Sequence, residues 1–183
     1  MKSVLILLVL FLGSFHARAG TLVELGGTYI SENLKTGSSS TSTRYFYNLG
    51  VLFSLKKRVW GGWNYSGFSQ NDTGTPEIKI SSMDTGPYMK WQFGRNEMYS
   101  ASFAYNILSK AQADIGNGSE EWRGTSFWLQ LGFMPEVKDG LHLGASLNYY
   151  AANYNKSVIS GSESNISYSK SWIFPLLSLT KEW

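Results

Sequence analysis

Cysteine is absent from the chain, which excludes a disulfide framework and a thiolate metal or redox site. Histidine is nearly absent: beyond the N-terminal region only His142 is present, so no zinc-ligand spacing exists. Charged residues make up 16% of the sequence, against roughly 25% in an ordinary soluble domain. No apolar run reaches the about 20 residues that a membrane-spanning helix requires. The longest, Val4–Leu12, is followed by Ala17-Arg18-Ala19. No phosphate-cradling glycine motif or calcium-loop spacing occurs. Asp72, Glu77, Asp114, Glu120 and Glu121 therefore read as solvated loop carboxylates, and no metal or cofactor is expected.

The N-terminal run, opened by Lys2 and closed by a small-x-small pattern, reads as a secretory signal over residues 1–19, with cleavage before Gly20. Residues 20–183 then form one domain. The leader holds Lys2 and Arg18 and no acid, so the formal charge of +3 is partly an export feature. It gives no support for nucleic-acid binding.

What the chain does have is period-two alternation. Tyr99, Ala101, Phe103, Tyr105 and Ile107 alternate with Ser100, Ser102, Ala104 and Asn106. Leu141, Leu143, Ala145, Leu147 and Tyr149 alternate with His142, Gly144, Ser146 and Asn148. Such alternation specifies strands. A strand facing water carries Lys, Glu and Thr on its polar side, whereas these sides are almost uncharged. That combination suits an apolar face towards lipid and a polar face towards a lumen.

Eight strand segments are expected, at about Thr21–Ser31, Arg44–Leu55, Val59–Phe68, Ile78–Phe93, Met98–Ser109, Thr125–Met134, Leu141–Ala152 and Asn165–Trp183. The connectors after strands two, four and six are short. Those at Glu32–Thr43, Ser69–Glu77, Lys110–Gly124 and Asn153–Ser164 are long and rich in Ser, Gly, Asn and Thr. Short inner turns and long outer loops belong to an all-β, eight-stranded, antiparallel up-and-down transmembrane barrel of an outer membrane. Aromatic residues fall in two groups. Tyr29, Tyr45, Trp63, Tyr105, Tyr149 and Tyr168 lie beside the long connectors, while Phe53, Trp91, Tyr99 and Phe133 lie beside the short ones. They are read as two interfacial girdles.

The lumen of eight strands is only wide enough for side chains to fill. Glu24, Asp84, Lys90 and His142 are the charged or titratable residues on the inward faces, and an unpaired charge there is costly. Glu24 and Lys90, both in the inner half, are therefore expected to pair, and the lumen to be a hydrogen-bonded plug. Among the outer connectors, Lys110–Gly124 carries Ile115 and Trp122 and is the better contact surface.

The final segment, Trp172 to Trp183, ends on an aromatic residue, with Leu177 and Leu179 on the same strand face as Trp183. It is similar to the terminal-strand signal by which outer-membrane barrels are recognised for insertion. With the size and strand number, the chain resembles the small eight-stranded barrels of the OmpA/OmpX type. Pro175 and Lys181 depart from that pattern. Proline lacks an N–H and belongs where the ladder is broken, and Lys181 can snorkel to the headgroups.

The resemblance implies an integral, monomeric protein of the cell outer membrane, in contact with lipids and lipopolysaccharide and inserted by the barrel-assembly machinery. A structural or surface-interaction role is expected, with a narrow channel or a carrier of small or hydrophobic molecules as the alternative. Some barrels of this size are lipid A-modifying enzymes. That chemistry needs a base and a nucleophile near the outer leaflet, whereas His142 follows an inner turn. No catalytic residue is therefore assigned.

Overall fold

The computed structural model describes residues 20–183 except 37, 75–76 and 116–117, with the side chains of 33–40 also left aside. Residues 1–19, and with them the leader reading, lie outside the described residues. Nine strands follow in order: β1 (Thr21–Thr36), β2 (Ser38–Lys56), β3 (Val59–Asp72), β4 (Ile78–Phe93), β5 (Tyr99–Ile115), β6 (Gly118–Phe133), β7 (Glu136–Lys138), β8 (Leu141–Ile159) and β9 (Ser162–Glu182). Each long strand pairs antiparallel with the next. β6 pairs with β8, and β9 returns to β1. The result is a closed ring of eight, with β7 a short flap against β8.

Closure satisfies the backbone within the wall, which lipid requires, except above the short β1–β9 pairing. Even-numbered residues of β4 face inward from Ser82 to Gln92, and odd ones face out. β5 changes phase: Ser100, Ala104 and Asn106 are buried, then Ser109, Ala111 and Ala113. The switch is a bulge against β4 and β6, where Ile107 and Leu108 are both exposed. One extra residue re-aims the strand and keeps the upper half of its inward face small.

Three of the four connectors expected to be long and irregular are instead strand. β1 and β2 remain paired to Thr36↔Ser38, β5 and β6 to Ile115↔Gly118, and β8 and β9 to Ile159↔Ser162. The last hairpin closes on Ser160 and Gly161 alone, at φ 50° and 84°, as a two-residue turn of the primed type demands. Ser, Thr and Asn discourage a strand reading, but a ladder already begun at the wall propagates through them. The asymmetry between the two ends is therefore one of strand length, and four hairpins stand beyond the outer girdle.

The exterior is apolar. Leu49, Phe53, Met89, Phe103, Leu131, Leu147, Ile173 and Leu177 are all exposed. Tyr29, Tyr45, Trp63, Tyr105 and Tyr149 ring the outer level, and Trp91, Tyr99 and Phe133 the inner level, every one of them exposed on the outward face. Trp63 Nε1 donates to Thr85 Oγ1 at 2.6 Å, so its polar edge is satisfied at the interface. Tyr168 does not belong to this girdle. It shares the inward parity of Lys170 and Trp172 on β9, and its ring packs against Trp122 at 4.9 Å. Trp122 in turn packs on buried Tyr154. The Trp122 ring expected on an outer loop thus lines the barrel mouth.

Candidate functional site

The inward faces assemble three layers. At the inner end Lys90 donates its ammonium to Glu24 Oε2, and neither side chain is more than 1% exposed. Tyr88 adds its hydroxyl to Glu24 Oε1 at 3.2 Å, and Trp60 Nε1 donates to Gln92 Oε1 at 2.6 Å. His142 is buried below them, with Nδ1 donating to the Met134 carbonyl at 3.2 Å. It holds the β6–β7 backbone and is far from the outer leaflet.

In the middle, Asp84 accepts hydrogen bonds from Ser82, Ser109, Ser126 and Tyr150 at 2.5 to 3.1 Å. Four donors, one from its own strand and one from each of three others, satisfy a carboxylate removed from water. Beside it Tyr88 and Trp128 stack, with centroids 5.4 Å apart and planes at 24°. Trp128 Nε1 donates to Asn148 Oδ1 at 2.9 Å. Gly50 is required here, because a Cβ would lie 2.8 Å from the Tyr88 ring.

The outer layer is aromatic. Phe46 contacts Phe174 at 4.7 Å and Trp172 at 6.4 Å, and Phe68 contacts Tyr150 at 5.6 Å. These inward rings were not singled out from the alternation. The available signal was parity: Tyr88 and Trp128 sit on the same faces as Lys90 and Gln130. Across all three layers side chains occupy the lumen, as eight strands allow.

Above the plug, Arg44 and Lys170 face the mouth. Lys170 donates to Gln70 Oε1, and its ammonium stands 4.8 Å from the Phe68 ring centroid. It lies beyond the outer girdle, where burial and then the nearby Arg44 charge push its pKa down to about 8. Arg44 Nε is buried and bonded to no protein atom. The adjacent carboxylate, Asp72, is engaged by Ser42 Oγ and Gln70 Nε2.

The ring has one short seam. β1 and β9 pair only from Leu22↔Glu182 to Gly27↔Leu177, whereas β1 and β2 pair along their whole length. The cause is Pro175. Trp183 N–H donates to the Thr21 carbonyl on β1, and Glu182 N–H donates to Gly140 on the other side. Odd residues of β9 therefore bond towards β1. The next bonded position is Pro175 opposite Tyr29, and proline has no N–H to give. At the end of the seam lies a groove of about 610 Å³ lined by Gly27, Thr28, Tyr29, Pro175, Leu176 and Leu177, with Ala145 below.

On the terminal strand, Leu177 is exposed to the lipid side and Trp183 closes the ring through its backbone. Leu179 lies on the same outward face, half-buried. Lys181 donates to the Asp139 carbonyl and lies over the Trp183 ring at 5.6 Å. Among the described residues, no group of three or more His, Asp or Glu side chains is placed to hold a metal ion.

No protein-family model and no curated protein matches the chain significantly. Solved structures do. Neisserial surface protein A superposes with a TM-score of 0.54 at 12% identity, over 90% of this chain and 98% of that one. The fold is that of a small outer-membrane β-barrel. With its apolar exterior and paired aromatic girdles, such a barrel resides in the cell outer membrane. The outer membrane protein AlkL (TM-score 0.42, 10% identity, 93% of each chain) and the translocator domain of the autotransporter NalP from Neisseria meningitidis (0.44, 14%, 98% of this chain and 67% of that one) are similar more loosely.

Proposed function

We propose that this barrel is a non-conducting, non-enzymatic outer-membrane scaffold that presents extended hairpins at the cell surface. The observation that carries this reading is the three-layered plug, from the Glu24–Lys90 pair to the Phe46–Trp172–Phe174 cluster. An eight-stranded lumen has only the width that such side chains fill. The non-enzymatic part is supported by the place of His142, bonded to a backbone carbonyl at the inner end with no nucleophile positioned against it. Catalysis needs a base and its partner in mutual reach.

In this role the wall contacts lipids and lipopolysaccharide as a monomer. Leu177, Leu179 and Trp183 form the strand that the assembly machinery engages. The test is genetic and chemical. A strain lacking the chain is expected to lose detergent resistance, and the full chain to restore it. A barrel whose hairpins are cut back to the outer girdle is expected not to restore it, and lipid A acyl chains are expected to be unchanged by overexpression. Restoration by the cut-back barrel would contradict display, and an altered acyl pattern would contradict the absence of catalysis.

A further inference from the structure

The seam between β1 and β9 ends in the wall at the level of the outer girdle, and among the described residues no β1–β9 pairing continues above Gly27↔Leu177. Below that point the groove formed by Gly27, Tyr29, Pro175 and Leu177 is apolar and open to lipid. Just above it, Ile30 of β1 is the Cα partner of Arg44, whose side chain points inward. Lys170 joins Arg44 from β9 by donating to Gln70, the Cα partner of Arg44 on β3. Neither cation makes an ion pair among the described residues: Lys170 bonds a neutral amide, and Arg44 Nε bonds nothing. Two cations face one carboxylate, Asp72, which is already held by Ser42 and Gln70, so net positive charge stands next to a groove for an apolar chain, a complementary pair of half-sites.

We propose that the unzipped end of the β1–β9 seam binds one outer-leaflet lipid of anionic headgroup. The phosphate or carboxylate of the headgroup sits against Arg44 and Lys170, and one acyl chain lies in the groove beside Tyr29, Pro175 and Leu177. Three features of the site support this occupant over the others. A neutral lipid leaves the excess positive charge unanswered, and a free anion leaves the groove unfilled. A second copy pairing with the open edge of β9 would need the N–H that Pro175 lacks, and one pairing with β1 would leave that charge unanswered. The site adds to the scaffold reading and does not depend on it, since binding at the seam requires no path through the lumen.

The experiment uses the full barrel refolded in maltoside micelles, with hexadecyl phosphate, hexadecyl maltoside and inorganic phosphate as probes and native mass spectrometry as the readout. Hexadecyl phosphate is expected to bind about tenfold more tightly than the neutral analogue, and Arg44→Gln with Lys170→Gln is expected to remove about that factor, the worth of one charge-assisted contact. A hexadecyl phosphate carrying a photoreactive chain is expected to label residues 27–29 and 175–177. Equal binding of the neutral analogue, indifference to the double variant, or labelling spread around the girdle would each overturn the proposal. Competition by inorganic phosphate at the same concentration as the lipid would show a free-anion site and overturn the lipid assignment. Folding of the double variant is read from its heat-modifiable mobility. If it misfolds, Arg44→Lys with Lys170→Arg keeps both charges and is expected to keep binding. Loss of binding in that folded variant, with phosphate contact still available, would count against the site.

Discussion

Lys90 on β4 and Glu24 on β1 meet across the lumen as a buried ion pair, 66 positions apart in the chain, with Tyr88 as the third member. Removing one charge leaves the other uncompensated. Lys90→Met is expected to destabilise the barrel by about 3–5 kcal/mol, and Glu24→Leu added to it to restore most of the loss. Urea unfolding of the refolded proteins, followed by Trp fluorescence, measures both. An additive double variant would show that the two residues do not act as a pair.

Asp84 gathers four hydroxyl and phenol donors. Asp84→Leu strands those donors without an acceptor, at an expected cost of about 3 kcal/mol or more. Asp84→Asn keeps an acceptor oxygen and is expected to cost less. Thermal loss of the heat-modifiable band ranks the variants, and equal midpoints for the two would contradict a role as shared acceptor.

The limits of the sequence follow from the same interior. Alternation and charge scarcity made the eight strands legible, together with the outward girdle and the nearness of Glu24 to Lys90. Side-chain parity is all that a strand pattern encodes, and it holds wherever no bulge intervenes. The bulge at Ile107–Leu108 depends on pairing with neighbouring strands, which no local pattern carries, whereas the inward side of Tyr168 follows from its parity with Trp172 and Phe174. The hairpins of Ser, Thr and Asn were read as loops because weak strand formers extend a ladder only when a partner is already aligned. The Arg44–Lys170 pair was invisible for another reason: its residues lie on strands joined through Gln70 and Phe68, not through sequence.

Pro175 sets the length of the closing seam. Pro175→Val supplies the missing N–H at the position opposite Tyr29 and is expected to add a ladder bond worth about 1 kcal/mol. Slower amide exchange at residues 28–30 and 175 would report the extended pairing. Unchanged exchange on β1 would mean that something other than proline ends the seam.

Lys170 titrates near the physiological range because burial and Arg44 hold its pKa at about 8, with Asp72 acting in the opposite sense. The ammonium is present below that value and lost above it. Affinity for hexadecyl phosphate is accordingly expected to fall as pH rises from 7 to 9, by about fivefold or more for one lost charge contact. Lys170→Arg, always protonated, is expected to flatten the profile. A flat profile in the unmodified protein would remove Lys170 from the anion site.

The plug is the central claim, and planar-bilayer recording of the refolded protein tests it most directly. The unmodified barrel is expected to show no steady conductance, and Tyr88→Ala with Trp128→Ala to open discrete steps as the middle layer is emptied. Steady single-channel steps from the unmodified protein, abolished or altered by Lys90→Ala, would contradict a filled lumen.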